Sequence, residues 1–132
     1  SPAGYEVDKQ IMQKAREFAA QTGSQLTMTA DPAQAVKDAD VVYTDVWTSM
    51  GQEAEAEQRR LAFAGYQVNP ELLSLARKDV IFLHPLPAHH GEEVAAGLLD
   101  HPGSVVFDQA ENRLHLQRAL IAEIFRKFGR AR

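Results

Sequence analysis

The chain has 132 residues, 45% hydrophobic and 24% charged, which suits one compact soluble domain with its own core and argues against disorder. Fourteen basic and 18 acidic side chains leave a net charge of −4, so a general polyanion binder is excluded as a first reading. The absence of cysteine removes disulfides, thiolate metal sites and cysteine nucleophiles together, and fits a reducing compartment.

No apolar run approaches the roughly 20 residues of a membrane span, and no signal-peptide pattern opens the chain. The start at Ser1-Pro2-Ala3, without Met, reads as a processed, excised or engineered chain. Residues Val7 to Thr22 form the first predicted helix, with Ile11, Ala15, Phe18 and Ala19 at helical spacing, Asp8 as cap and Gly23 as stop. Ser24 to Thr29 alternates and predicts a short strand. Asp31-Pro32 then opens a short helix through Lys37.

Asp40 to Asp45 is a β-branched and aromatic run of the kind found in buried parallel strands. The Glu-, Gln-, Ala- and Arg-rich stretch from Gln52 to Phe63 predicts a helix, its charge run a solvated face. Asn69-Pro70 starts another, with Leu72, Leu73, Leu75 and Ala76 as its buried side. Val80 to His84 is a second strand, ended by Pro85-Leu86-Pro87. Glu92 to Leu99 predicts a short helix, Val105 to Asp108 a third strand, and Asn112 to Phe128 a long final helix. Helices separating β-rich runs imply βαβ units and an α/β fold: a three-layer parallel sheet flanked by helices. Ligands of such sheets bind beyond the carboxyl ends of the strands. Three informative segments are expected there.

In Asp45-Val46-Trp47-Thr48-Ser49-Met50-Gly51, an acid at a strand end can pair with a ligand ammonium, and Ser49 can bond a carboxylate or an amine. The plainer reading is a strand-to-helix loop in which Asp45 caps backbone donors and Trp47 fills a gap. In His84-Pro85-Leu86-Pro87-Ala88-His89-His90-Gly91-Glu92-Glu93, two prolines stiffen a turn whose carbonyls can accept from a ligand amine or amide. The histidines and glutamates there match neither His-Glu-x-x-His nor a finger spacing, so no metal is expected. The third segment runs from Asp108 to His115. Arg113, read as near a helix start, suits a phosphate or a polarised carbonyl, against a surface pairing with Glu111 or Asp108. His115 reads as a structural helix residue. No dinucleotide fingerprint, P-loop or Gly-x-Ser-x-Gly elbow is present.

The three segments, in this order and spacing, resemble ornithine carbamoyltransferases, and Gly4-Tyr5-Glu6 resembles the entry to the first helix of the same domain. The resemblance covers essentially the whole chain. It implies a Rossmann-like ornithine-binding domain over 1–132, partial, with the first strands of the family domain and the carbamoyl-phosphate domain missing. It implies transfer of a carbamoyl group from carbamoyl phosphate to L-ornithine, giving citrulline and phosphate, in cytoplasmic arginine biosynthesis. Asp45, Ser49 and Met50 would bind the amino-acid end of ornithine. Carbonyls around Pro85 and Leu86 would contact the carbamoyl group and the reacting amine, and Arg113 would contact carbamoyl phosphate. Pro85, Leu86 and Arg113 are thus the catalytic candidates.

The resemblance further implies no cofactor and no metal, and a trimer-based homo-oligomer with neither nucleic acid nor membrane as partner. One departure stands out. The family commonly has His-Cys-Leu-Pro where this chain has His84-Pro85-Leu86-Pro87, a form resembling aspartate carbamoyltransferases. The alternatives are a non-catalytic excised or designed α/β module, or a carbamoyltransferase for another amine. Without the phosphate loop of the family's other domain, the chain alone is expected to be inactive. It is also expected to be poorly stable or to associate through open apolar surface.

Overall fold

The computed structural model describes residues 1–128; the last four residues of the 1–132 span lie outside the described residues. Helix boundaries follow local capping chemistry. In α1 (Lys9–Thr22) the Asp8 carboxylate accepts the Gln10 and Ile11 N–H groups at 2.9 and 3.2 Å, and Gly23 closes the helix. Asp31 accepts from Ala33 N–H at 2.9 Å ahead of α2 (Pro32–Val36). Asn69 accepts from Leu72 N–H at 2.7 Å to start α4 (Pro70–Leu73). Each of the last two has proline at its first position, where the missing N–H costs nothing.

Two strands, β1 (Val41–Tyr43) and β2 (Ile81–Leu83), pair in parallel with Val42 opposite Phe82. The crossover between them carries a 3-10 turn at Glu53–Glu55, α3 (Ala56–Phe63) and α4. Their inward faces meet Val68, Val80, Val94, Leu98 and Val106 in one core, where Phe82, Val94 and Val106 are wholly buried. The architecture is α/β with parallel strands.

The expected third strand is where the sequence reading needs correction. The chain makes a single rung on β2, through Phe82 N–H to Gly103 carbonyl at 2.8 Å and Val105 N–H to Phe82 carbonyl at 3.0 Å. It then turns directly into α5 (Val106–Phe128), so Val106 to Asp108 are helical, six residues earlier than expected. The rung puts Gly103 against β2: a Cβ there would lie 2.6 Å from the Val80 carbonyl oxygen. Ser24 to Thr29 has no ladder partner and is not a strand, and Glu92 to Leu99 forms turns, with a 3-10 turn at Leu98–Asp100. Leu75 points outward.

Both long helices form where expected apart from their starts, α1 at Lys9 and α5 at Val106, but they pack little. No residue of α1 is buried, and Ile11 and Phe18 are exposed. In α5 only Val106 is buried; Leu116, Leu120, Ile124, Phe125 and Phe128 lie open. No helix is long and apolar enough to cross a membrane among the described residues.

Candidate functional site

The parallel pair delivers two loops to the same side. Beyond β1, Thr44 N–H still reaches the Leu83 carbonyl at 3.2 Å, and Asp45 follows with its carboxylate accepting from Val46 N–H at 2.7 Å. Trp47 turns inward, buried and stacked on Phe63 with ring centroids 6.0 Å apart. Arg59 clamps this loop from α3, donating to the Trp47 carbonyl at 3.2 Å while lying 5.1 Å over the Tyr5 ring. The loop closes through Ser49 N–H to Gln52 Oε1 at 3.1 Å and Gln52 N–H to the Ser49 carbonyl at 3.0 Å. Gly51 sits at φ +87, where a side chain would strain the backbone, and its N–H donates to Glu53 at 2.9 Å. That bond holds the Glu53 carboxyl below its usual range.

Beyond β2, His84 is fully buried and its N–H donates to Gln109 Oε1 on α5 at 3.1 Å. Pro85-Leu86-Pro87 then crosses the sheet end, with Leu86 at φ +53 and a cis bond before Pro87. Glu92 and Glu93 diverge. Glu92 faces Arg60 of α3 at 2.9 Å, an ion pair that raises the Arg60 pKa above its usual value. Glu93 is buried and accepts from His89 N–H at 2.6 Å.

Together these loops and α5 enclose a cavity of about 580 Å³. All six sequence-predicted site residues line it: Asp45, Ser49, Met50, Pro85, Leu86 and Arg113. Asp45 and Ser49 sit exposed at the rim, and Met50 is 98% exposed there. Arg113 occupies the middle of α5 rather than a helix start, because that helix begins at Val106; helix-terminal N–H groups therefore do not assist it. It makes neither expected surface pairing, and among the described residues Glu111 instead meets His115 at 3.3 Å.

Several lining residues were not singled out from sequence. Arg60 came from a run read as a solvated face, yet it joins α3 to Glu92 across the cavity wall. Thr48 also lines the cavity, with its hydroxyl buried and unpartnered. His89, Glu92 and Glu93 bring ligand-type atoms within 4.8 Å of one another, so they form the one group of metal-capable side chains among the described residues. Arg60 already bonds Glu92, and the His89 N–H already bonds Glu93.

An apolar cavity lined by carboxylates and by the guanidinium groups of Arg60 and Arg113 can hold a zwitterionic or doubly charged small molecule. Comparison with known proteins gives that chemistry a family. The sequence model of the "Aspartate/ornithine carbamoyltransferase, Asp/Orn binding domain" matches residues 1–124. An ornithine carbamoyltransferase of Thermococcus kodakarensis is 58% identical over 122 residues, 92% of this chain and 39% of that protein. The solved ornithine carbamoyltransferase of Pyrococcus furiosus superposes with a TM-score of 0.83 at 55% identity, over 92% of this chain and 39% of that one. The anabolic enzyme of Campylobacter jejuni gives 0.87 at 36% identity, over 96% and 42%. The chain thus spans about two fifths of the length of the relatives it matches. It belongs to the Asp/Orn-binding domain family of the aspartate/ornithine carbamoyltransferases.

Proposed function

We propose that this domain, over 1–132, forms the amino-acid half of an ornithine carbamoyltransferase active site, with a separate carbamoyl-phosphate domain supplying the phosphate-binding half. The single observation that carries this reading is the convergence of Asp45, Ser49, Met50, Pro85, Leu86 and Arg113 on one cavity. Asp45 and Ser49 bind the α-amino and α-carboxylate end of L-ornithine at the rim. Met50 covers the aliphatic stem. The Pro85 and Leu86 carbonyls orient the side-chain amine and the carbamoyl NH2, and Arg113 contacts carbamoyl phosphate.

The chemistry sets what is required. The ornithine side-chain ammonium gives up a proton, and its nitrogen lone pair attacks the carbamoyl carbon. The carbon–oxygen bond to phosphate then breaks and the nitrogen's second proton passes to the departing phosphate, leaving citrulline and inorganic phosphate. Orientation of the amine and donors for the developing oxyanion and leaving phosphate lower that barrier. Arg113 alone leaves most of the phosphate charge uncompensated, so the second half is needed for turnover. The assembled enzyme is a homo-oligomer acting in the cytoplasm in arginine biosynthesis.

Calorimetry of the chain with L-ornithine tests the reading. Binding that Asp45→Ala weakens about tenfold or more is expected, as for a lost charged hydrogen bond. Unchanged binding in Asp45→Ala counts against the loop assignment. Citrulline made by the chain alone from ornithine and carbamoyl phosphate would overturn the division into two halves.

A further inference from the structure

Behind the Pro85-Leu86-Pro87 turn lies a buried polar pair that the proposed reaction leaves unused. His84 and Glu93 are both fully buried, with His84 Nε2 3.2 Å from Glu93 Oε1. On the other side of the ring, His84 Nδ1 accepts the Leu86 N–H at 2.9 Å. A nitrogen that accepts carries no proton, so this geometry requires the neutral ring protonated at Nε2, facing the carboxylate. The contact to Glu93 is not well aligned, leaving Nε2 without a strong partner. Glu93 Oε1 also takes the His89 N–H at 2.6 Å. One carboxylate therefore ties down the far end of the turn and faces the ring that ties down its middle.

Leu86 needs that restraint. Its φ of +53 lies in the left-handed region, which a branched side chain occupies only when its surroundings over-determine it. Its own N–H bond to His84 is the local restraint. The N–H of His84 is anchored in turn to Gln109 on α5, which carries Arg113 four residues on.

We infer that His84 and Glu93 are positioning residues: they lock the Leu86 backbone in its left-handed conformation and thereby set the cavity wall that receives a substrate amine. The assignment rests on the proposed role of the Pro85 and Leu86 carbonyls.

The test compares L-ornithine with L-norvaline, the same amino acid without its side-chain amine, by calorimetry on the full chain. Wild type is expected to prefer ornithine. In His84→Leu that preference falls about tenfold or more while norvaline binding stays within about threefold, because only the amine reads the turn. His84→Asn, which keeps an acceptor near the Nδ1 position, retains most of the preference. An equal loss for both ligands, or a preference kept in His84→Leu, overturns the assignment. A wild type without preference instead refutes the proposed substrate.

Nitrogen NMR of His84 in the ligand-free protein needs neither substrate nor a stable variant. A ring protonated only at Nε2 is expected, with a slowly exchanging Leu86 amide. A proton at Nδ1 overturns the arrangement.

Discussion

Two neighbours at the carboxyl end of β2, the turn that follows it and the helix α5, lie in very different surroundings. Toward the His84–Glu93 turn, polar groups are buried, down to a histidine and a glutamate with no exposed surface. Toward α5, a 23-residue helix carries apolar side chains over half its circumference and buries only Val106. The helical period is sound in both α1 and α5, yet among the described residues α1 reaches no core and α5 reaches it only through Val106. The cavity wall is therefore set by hydrogen bonds around the sheet end, to which α5 contributes through Gln109 and Arg113 rather than through its open apolar face.

The sharpest way to break this contrast is to cut the same side chain in each region. Phe82→Ala, at a fully buried position, is expected to cost about 3–5 kcal/mol in urea unfolding, enough to abolish the cooperative transition. Phe125→Ala, on a residue 70% exposed, should stay within about 0.5 kcal/mol. Equal losses would mean that α5 is packed in solution. Gly103→Ala ranks next, at about 1–3 kcal/mol, because the new methyl meets backbone rather than a flexible side chain. A neutral result would show that the single rung on β2 can shift.

Ile121→Glu on the open face of α5 should leave the unfolding midpoint nearly unchanged and lower the sedimentation-derived mass at high concentration. An unaltered mass distribution would remove that face from any association. The smallest expected effect is at the cavity rim. The Gly51 N–H lowers the Glu53 pKa, so the ionised form stabilises the loop above the ordinary carboxylate range, and this contribution is lost as pH falls through the lowered value. The Gly51 amide shift should report an inflection below the usual glutamate range. One at or above it would show that the bond is absent.

How much was legible in the sequence follows the range of the interactions. Asp8, Asp31 and Asn69 cap helices through residues two or three positions away, so their roles could be read locally. The site segments were legible because each follows a strand or runs as one continuous motif. The third strand was not, since its fate depends on how Gly103 and Val105 meet Phe82, more than twenty residues earlier, and β-propensity yields to such context. The solvated face that carries Arg60 was legible, but its bond to Glu92 was not, because that partner lies 32 residues away. Glu92 and Glu93 are adjacent identical letters, yet one faces the cavity and the other the core. No local pattern distinguishes them.

The turn itself has a consequence for discrimination. Pro85 and Pro87 have no backbone N–H, and the one belonging to Leu86 is already engaged with His84. Along these three residues the main chain therefore holds no free donor, only lone pairs. A molecule that ends in a carboxylate, such as glutamate, can approach this wall but finds nothing there to accept from. Along these three residues the selection works by subtraction: the backbone offers an amine its acceptors and offers an acceptor-ended group no donor.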